Sequence, residues 1–234
     1  MKTLGLALVA VLALSAVSAT ASQAAVFTAG AYSAVLTGKD VKTTHGELIR
    51  MTFGNGARYV ECSITTLSAT LNGSETEVGF TPGFSGCFSN GLTTVPATVT
   101  VNGCFFRIHA TATTAGQLTV VCSAGKQIEI HVYENSTKHT ESKPICTYDV
   151  GVQGPITGIK FSVINPAAAN EGIEFKFPGP PPPPYTFQTT STMGPLSICG
   201  VNATSGNATT QMALRGDFLV TGNSGGVSTK VMLQ

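Results

Sequence analysis

Residues 97–132, ATVTVNGCFFRIHATATTAGQLTVVCSAGKQIEIHV, decide the fold class. Ala97, Val99 and Val101 alternate with Thr98 and Thr100, and Phe106, Ile108 and Ala110 oppose Arg107, His109 and Thr111. Further on, Ile128, Ile130 and Val132 oppose Gln127, Glu129, His131 and Tyr133. A period of two puts alternate side chains on opposite faces of an extended chain, so each set reads as a half-buried strand. Asn102-Gly103 supplies the positive-φ residues that a tight turn needs.

The same alternation continues on both sides. Thr76, Val78 and Phe80 face away from Glu75 and Glu77, Ile173, Phe175 and Phe177 face away from Glu174 and Lys176, and Leu214, Phe218 and Val220 share a face. Further Asn-Gly pairs stand at Asn55-Gly56, Asn72-Gly73 and Asn90-Gly91. No helical pattern of useful length is present outside the N-terminal apolar run. The expectation is an all-β, antiparallel, β-sandwich-like domain of about a dozen short strands in two packed sheets.

Met1 and Lys2, the apolar run Leu4 to Val17 and the small residues up to Ala25 have the form of a cleavable signal peptide. The run is short for a membrane span, which needs about 20 residues. Cleavage after Ala21 or after Ala24 satisfies the small-x-small rule, and we adopt Ala24, giving a leader over 1–24 and one β domain over 25–234. No cysteine stands directly after the apolar run, so the mature chain is expected to be secreted, with no lipid anchor and no membrane insertion. Asn165 to Asn170 and the prolines Pro178 to Pro184, broken by Gly179, read as an exposed loop or insertion over about 165–185, because proline cannot donate to a central ladder.

Net charge is +1 and only 11% of residues are charged, which leaves no electrostatic footprint for nucleic acid or an anionic membrane. Thr, Ser, Gly, Ala and Val abound instead, as when strands present hydroxyls rather than charges to water. The six cysteines, Cys62, Cys87, Cys104, Cys122, Cys146 and Cys199, all lie after the leader and contain no C-x-x-C. They are expected to form three structural disulfides in an oxidising compartment, with no metal and no cofactor. Fifteen pairings are open for six cysteines. Because Cys199 alone lies beyond Gly151, one bridge should tie the two parts of the chain together.

Three groups of residues invite a catalytic reading. Gly222-Asn223-Ser224-Gly225-Gly226 matches G-x-S-x-G and the serine loop of chymotrypsin-like proteases, but His45 stands in Thr44-His45-Gly46 with no neighbouring cysteine, and no helix can follow Ser224. A glycine-rich loop between two strands accounts for it. Glu129 and His131 share a strand face that His109 could join from a neighbouring strand, yet no H-x-H pair is present and solvent-facing polar residues explain the pattern. Asp40, Asp149 and Asp217 each stand alone, so no acid is poised against a base. For sugar binding, tryptophan is absent, leaving Tyr32, Tyr59, Tyr133, Tyr148 and Tyr185 as candidate platforms. Asn72, Asn135, Asn202 and Asn207 begin N-x-[ST] and would carry glycans only in a eukaryotic secretory pathway. The composition favours a bacterium.

At Val101-Asn102-Gly103-Cys104, Cys122-Ser123-Ala124-Gly125-Lys126, Ile128-Glu129-Ile130 and Pro144-Ile145-Cys146-Thr147, the chain resembles an uncharacterised group of secreted, cysteine-containing β-rich proteins of high-GC soil bacteria. The likeness spans about Thr43 to Lys160, with a looser echo from Ser197 to Gly222, and departs at Asn165 to Tyr185. It implies secretion and a shared fold and transfers no functional residue. The reading is therefore a secreted or cell-surface structural or binding protein without catalytic activity, whose partner is an unidentified extracellular protein or glycan. The alternative is a secreted hydrolase built around Ser224 or the His109, Glu129 and His131 face.

Overall fold

The computed structural model describes residues 24–40, 49–53, 58–90, 95–133, 144–164, 172–177, 185–191, 199 and 207–234. Residues 1–23 of the expected leader over 1–24, His45, Asn55-Gly56, Gly91, Asn135, Asn202 and most of the proline-rich stretch lie outside them. The strands are β1 (Phe27–Asp40), β2 (Ile49–Phe53), β3 (Arg58–Glu75), β4 (Glu77–Asn90), β5 (Val95–Thr100), β6 (Cys104–Ala112), β7 (Ala115–Cys122) and β8 (Ile128–Val132), then β9 (Cys146–Val150), β10 (Gln153–Ile164), β11 (Gly172–Phe177), β12 (Tyr185–Ser191), β13 (Asn207–Ser224), β14 (Val227–Thr229) and β15 (Val231–Leu233). All the pairings are antiparallel and belong to one sheet.

The all-β expectation holds, but the sandwich is corrected: the sheet closes on itself as an eight-strand barrel. Its circuit runs β1, β3, β4, β6, β7, β10, β11, β13 and back to β1. A second circuit runs β2, β3, β4, β5, β8, β9, β12, β13 and back to β2. The two share β3, β4 and β13. Moreover β1 and β2 follow one another between the same neighbours, since Lys39 faces Thr66 and Ile49 faces Cys62 on β3. The molecule is thus one wall, β4, β3, β1–β2 and β13, closed over by two arms, β6–β7–β10–β11 and β5–β8–β9–β12. A sandwich leaves sheet edges unpaired. Here the length of β3 and β13, 18 residues each, lets one strand serve both circuits and removes those edges.

Passing from one circuit to the other requires a local adjustment. Val60 and Cys62 point inward on β3, but so do Thr65, Leu67 and Leu71, and on β4 inward residues change from Val78, Phe80 and Pro82 to Cys87 and Ser89. The parity switches at Ser63 and Gly86, which lie between the Cys62–Cys87 and Ile64–Ser85 pairs in an unbroken register, with Gly86 at φ +59, in the left-handed region that favours glycine. The switch falls at the same level on both strands, so one apolar side stays inside along the whole wall.

The interior is filled. Phe161 and Phe175 pack edge to face at 5.2 Å, and Phe80 and Phe175 at 5.5 Å, with Phe27 beside them under the first arm. Under the second arm Phe53 and Tyr148 stack at 3.9 Å, and the Tyr148 hydroxyl donates to the Cys199 carbonyl at 2.7 Å. Where the arms meet, an apolar cavity of about 20 Å³ is lined by Met51, Phe84, Phe106, Ile130 and Leu214 among others. It has room for about one water but offers no polar partner.

The six cysteines form three disulfides: Cys62–Cys87, Cys104–Cys122 and Cys146–Cys199. The first joins β3 to β4 and the second β6 to β7, each between directly opposed residues. The third links β9 to Cys199, tying the chain before Gly151 to the chain after it.

Candidate functional site

Barrel closure sends the apolar alternation inward and leaves His109, Glu129, His131 and Ser224 on the outside, where strand register decides which of them meet. Glu129 and His131 do share the outer face of β8, with His131 Nε2 4.0 Å from Glu129 Oε2. His109 does not join them. It stands on β6, opposite Glu77 of β4, with its Nδ1 3.4 Å from Glu77 Oε1 and Arg107 Nε 3.9 Å from Glu77 Oε2. The two imidazoles therefore belong to different arms, because the Cys104–Cys122 hairpin carries β6 and β7 away from β8.

Asp149 does not stand alone as the sequence suggests. The β8–β9 register sets it directly across from Glu129, with His131 across from Thr147. Burial raises the Asp149 pKa above 3.8, Glu129 raises it further, and His131 pulls it back. Nothing in the local sequence reveals this pair, since the residues are twenty positions apart and strand register alone sets them opposite one another. Among the described residues, no three His, Cys, Asp or Glu come together to hold a metal.

Ser224 ends β13, where it pairs with Val227 across the turn. Its strand neighbours there are β14 and β1, not the strands carrying His109 or His131. Asn223 Oδ1 accepts from the Gly226 amide at 2.9 Å, so the G-x-S-x-G match is a glycine-rich turn. Of the tyrosines, Tyr148 is 2% exposed and serves the core. Tyr59 lies under the Arg50 guanidinium at 4.1 Å, and Tyr133 reaches Thr98 at 3.4 Å. The side chains of Tyr32, Tyr185 and Asn207 lie outside the described residues. Asn72 is exposed beside Ser33 at 3.2 Å.

A broader feature spans the wall beneath the first arm. Thr221, Thr37, Ser68 and Thr81 stand in register across β13, β1, β3 and β4, all with side chains outward. The next rank along the strands holds Asn223, Val35 and Thr70, and Val35 is 54% exposed. Thr66-Leu67-Ser68-Ala69-Thr70-Leu71-Asn72 is the sequence signal for this face: hydroxyls and an amide alternate with apolar residues. Among the described side chains, charges appear beside it. On one side Glu77 meets Arg107 and His109; on the other Lys176 binds Glu174 at 3.0 Å, which raises the lysine pKa, and Ser162 donates to the same carboxylate at 3.3 Å.

No protein-family model, no curated protein and no solved structure matches the chain.

Proposed function

We propose that the protein is a secreted or cell-surface structural or binding module of bacterial origin that acts without catalysis, through its outer surface, on an extracellular partner. The observation that carries this reading is the placement of polar side chains. They sit in separate groups outside a barrel filled with hydrocarbon, and the largest described group is a face of hydroxyls. Enzyme sites are usually concave, with polar groups converging in them. Three disulfides agree with an oxidising compartment.

The whole chain, expressed in a host with an intact secretion pathway, should be found outside the cytoplasm, shortened at its N-terminus and lighter than its reduced form by the hydrogens of three disulfides. Retention in the cytoplasm with free thiols overturns the reading.

One observation favours a secreted hydrolase as a second reading: Asp149, protonated more readily than an ordinary carboxylate, opposite Glu129. Such a pair can divide acid and base roles. Hydrolysis of an ester, peptide or glycoside that disappears in Glu129→Gln and Asp149→Asn would establish it.

A further inference from the structure

We infer that Asn72 is a site of self-modification: the Asn72-Gly73 link cyclises and loses ammonia in the folded protein, while the same dipeptide at Asn102-Gly103 is held against it. The inference goes beyond the binding reading and does not depend on it.

An asparagine followed by glycine carries its own nucleophile. The Gly73 nitrogen attacks Asn72 Cγ, an N–Cγ bond forms and the Cγ–Nδ2 bond breaks, and Nδ2 departs as ammonia with the proton that the Gly73 nitrogen gives up. Water then opens the cyclic imide at either carbonyl, leaving aspartate or isoaspartate, and nothing is oxidised or reduced. The attack is intramolecular, so the conformation of the link governs its rate. Glycine lacks the Cβ that shields this nitrogen in other residues.

The two links differ in what holds them. Asn72 is exposed near the end of β3. The β1–β3 register passes from Ser33–Asn72 to Thr28–Ser74 with no partner assigned to Gly73, and the β3–β4 register stops at Ser68–Thr81. The Ser33 hydroxyl donates to Asn72 Oδ1 at 3.2 Å, which polarises the carbonyl under attack. Asn102 and Gly103, at φ +47 and +77, instead form the centre of a tight turn closed by the Cys104 amide, which donates to the Val101 carbonyl at 2.7 Å. Cys104 is in turn bonded to Cys122. Ring closure has to swing the Asn102-Gly103 peptide towards the side chain, which breaks the turn's hydrogen bond beside a covalent anchor. Local opening is therefore required at Asn102, and the interrupted register at Gly73 spares Asn72 that step.

Conversion exchanges a neutral amide for a carboxylate next to Glu75, whose Oε1 accepts from the Asn72 nitrogen at 3.2 Å. Isoaspartate also lengthens the β3 backbone by one carbon where the register is already interrupted. The outer wall thus gains negative charge with age and without a second protein.

The test holds the whole oxidised protein at mildly alkaline pH and follows each Asn-Gly peptide by mass after digestion in acid. A reduced, capped and urea-denatured sample serves as the reference. Expected in the folded protein is conversion at Asn72 to separable aspartate and isoaspartate peptides, with Asn102 about tenfold slower or more. In the denatured chain the two should convert at similar rates. Gly73→Ala, which sets a methyl group beside the attacking nitrogen, should slow Asn72 about tenfold or more and leave Asn102 as it was. A melting curve establishes that the variant is folded, and the unsubstituted protein decides the matter if it is not. Equal rates at Asn72 and Asn102 in the folded protein overturn the inference. So does an Asn72 that stays intact in the folded protein while it converts in urea, or that converts equally fast in folded Gly73→Ala.

Discussion

Asp149 and Glu129 face each other across β9 and β8, two acids where a sheet ordinarily pairs an acid with a base. Because the folded state raises the Asp149 pKa above 3.8, it binds the proton more tightly than the unfolded chain does. Stability from this site is therefore complete below 3.8 and is lost as pH rises through the folded value. Asp149→Asn should remove that loss and raise stability at neutral pH by about 0.2–1 kcal/mol, the size of a cross-strand charge pair. Thermal melts at acid and neutral pH check it: the variant's melting temperature should fall less than the parent's between them. Arg50 and Glu61 show the opposite arrangement. Arg50 Nε donates to Glu61 Oε1 at 2.6 Å, while the carboxylate side chain is only 9% exposed and the guanidinium covers Tyr59. Arg50→Ala leaves a covered charge without its partner and should cost about 1–3 kcal/mol in chemical denaturation. Arg50→Met with Glu61→Leu should recover most of it, since the desolvation cost disappears with both charges.

At the scale of the element, the parity switch at Ser63 and Gly86 keeps one side of β3 and β4 inward through both circuits. A Cβ at Gly86 would collide with Ser63 Oγ, and φ +59 disfavours any side chain. Gly86→Ala should therefore destabilise by about 1–3 kcal/mol, and Ser63→Gly in the same chain should relieve the collision but not the backbone strain. Urea titration of the two variants separates the two contributions.

Strand faces were legible because alternation is local: Ile128, Ile130 and Val132 turn inward as their spacing predicts. Closure was not legible, because it depends on Thr37 meeting Thr221 far along the chain, and a period of two names a face but never a neighbour. The Glu129–Asp149 pair was hidden for the same reason. The parity switch at Gly86 hid in a different way, by breaking the alternation that sequence reading relies on. The hydroxyl face was half visible, in the composition and in the Thr66 to Asn72 alternation, and only strand order assembles it.

Over the whole molecule, the three bridges are not equivalent. Cys62–Cys87 and Cys104–Cys122 join strands already paired, with sequence separations of 25 and 18, whereas Cys146–Cys199 spans 53 residues. Loop-closure entropy assigns the longest about 4 kcal/mol and the shortest about 3 kcal/mol. Cys146→Ser with Cys199→Ser should be the most destabilising removal, because it also loosens the carbonyl that Tyr148 holds. Melting temperatures of the three double variants, compared at equal pH, check the order.

The shared wall gives the molecule redundancy of a kind familiar from braced frames. Cutting one arm opens one ring but leaves the other to hold β3, β4 and β13 in place, so damage stays confined to the half in which it occurs. Backbone amides in the shared members should be the last to trade hydrogen for deuterium. A protease that nicks either arm should leave a nicked body whose remaining ring still resists digestion.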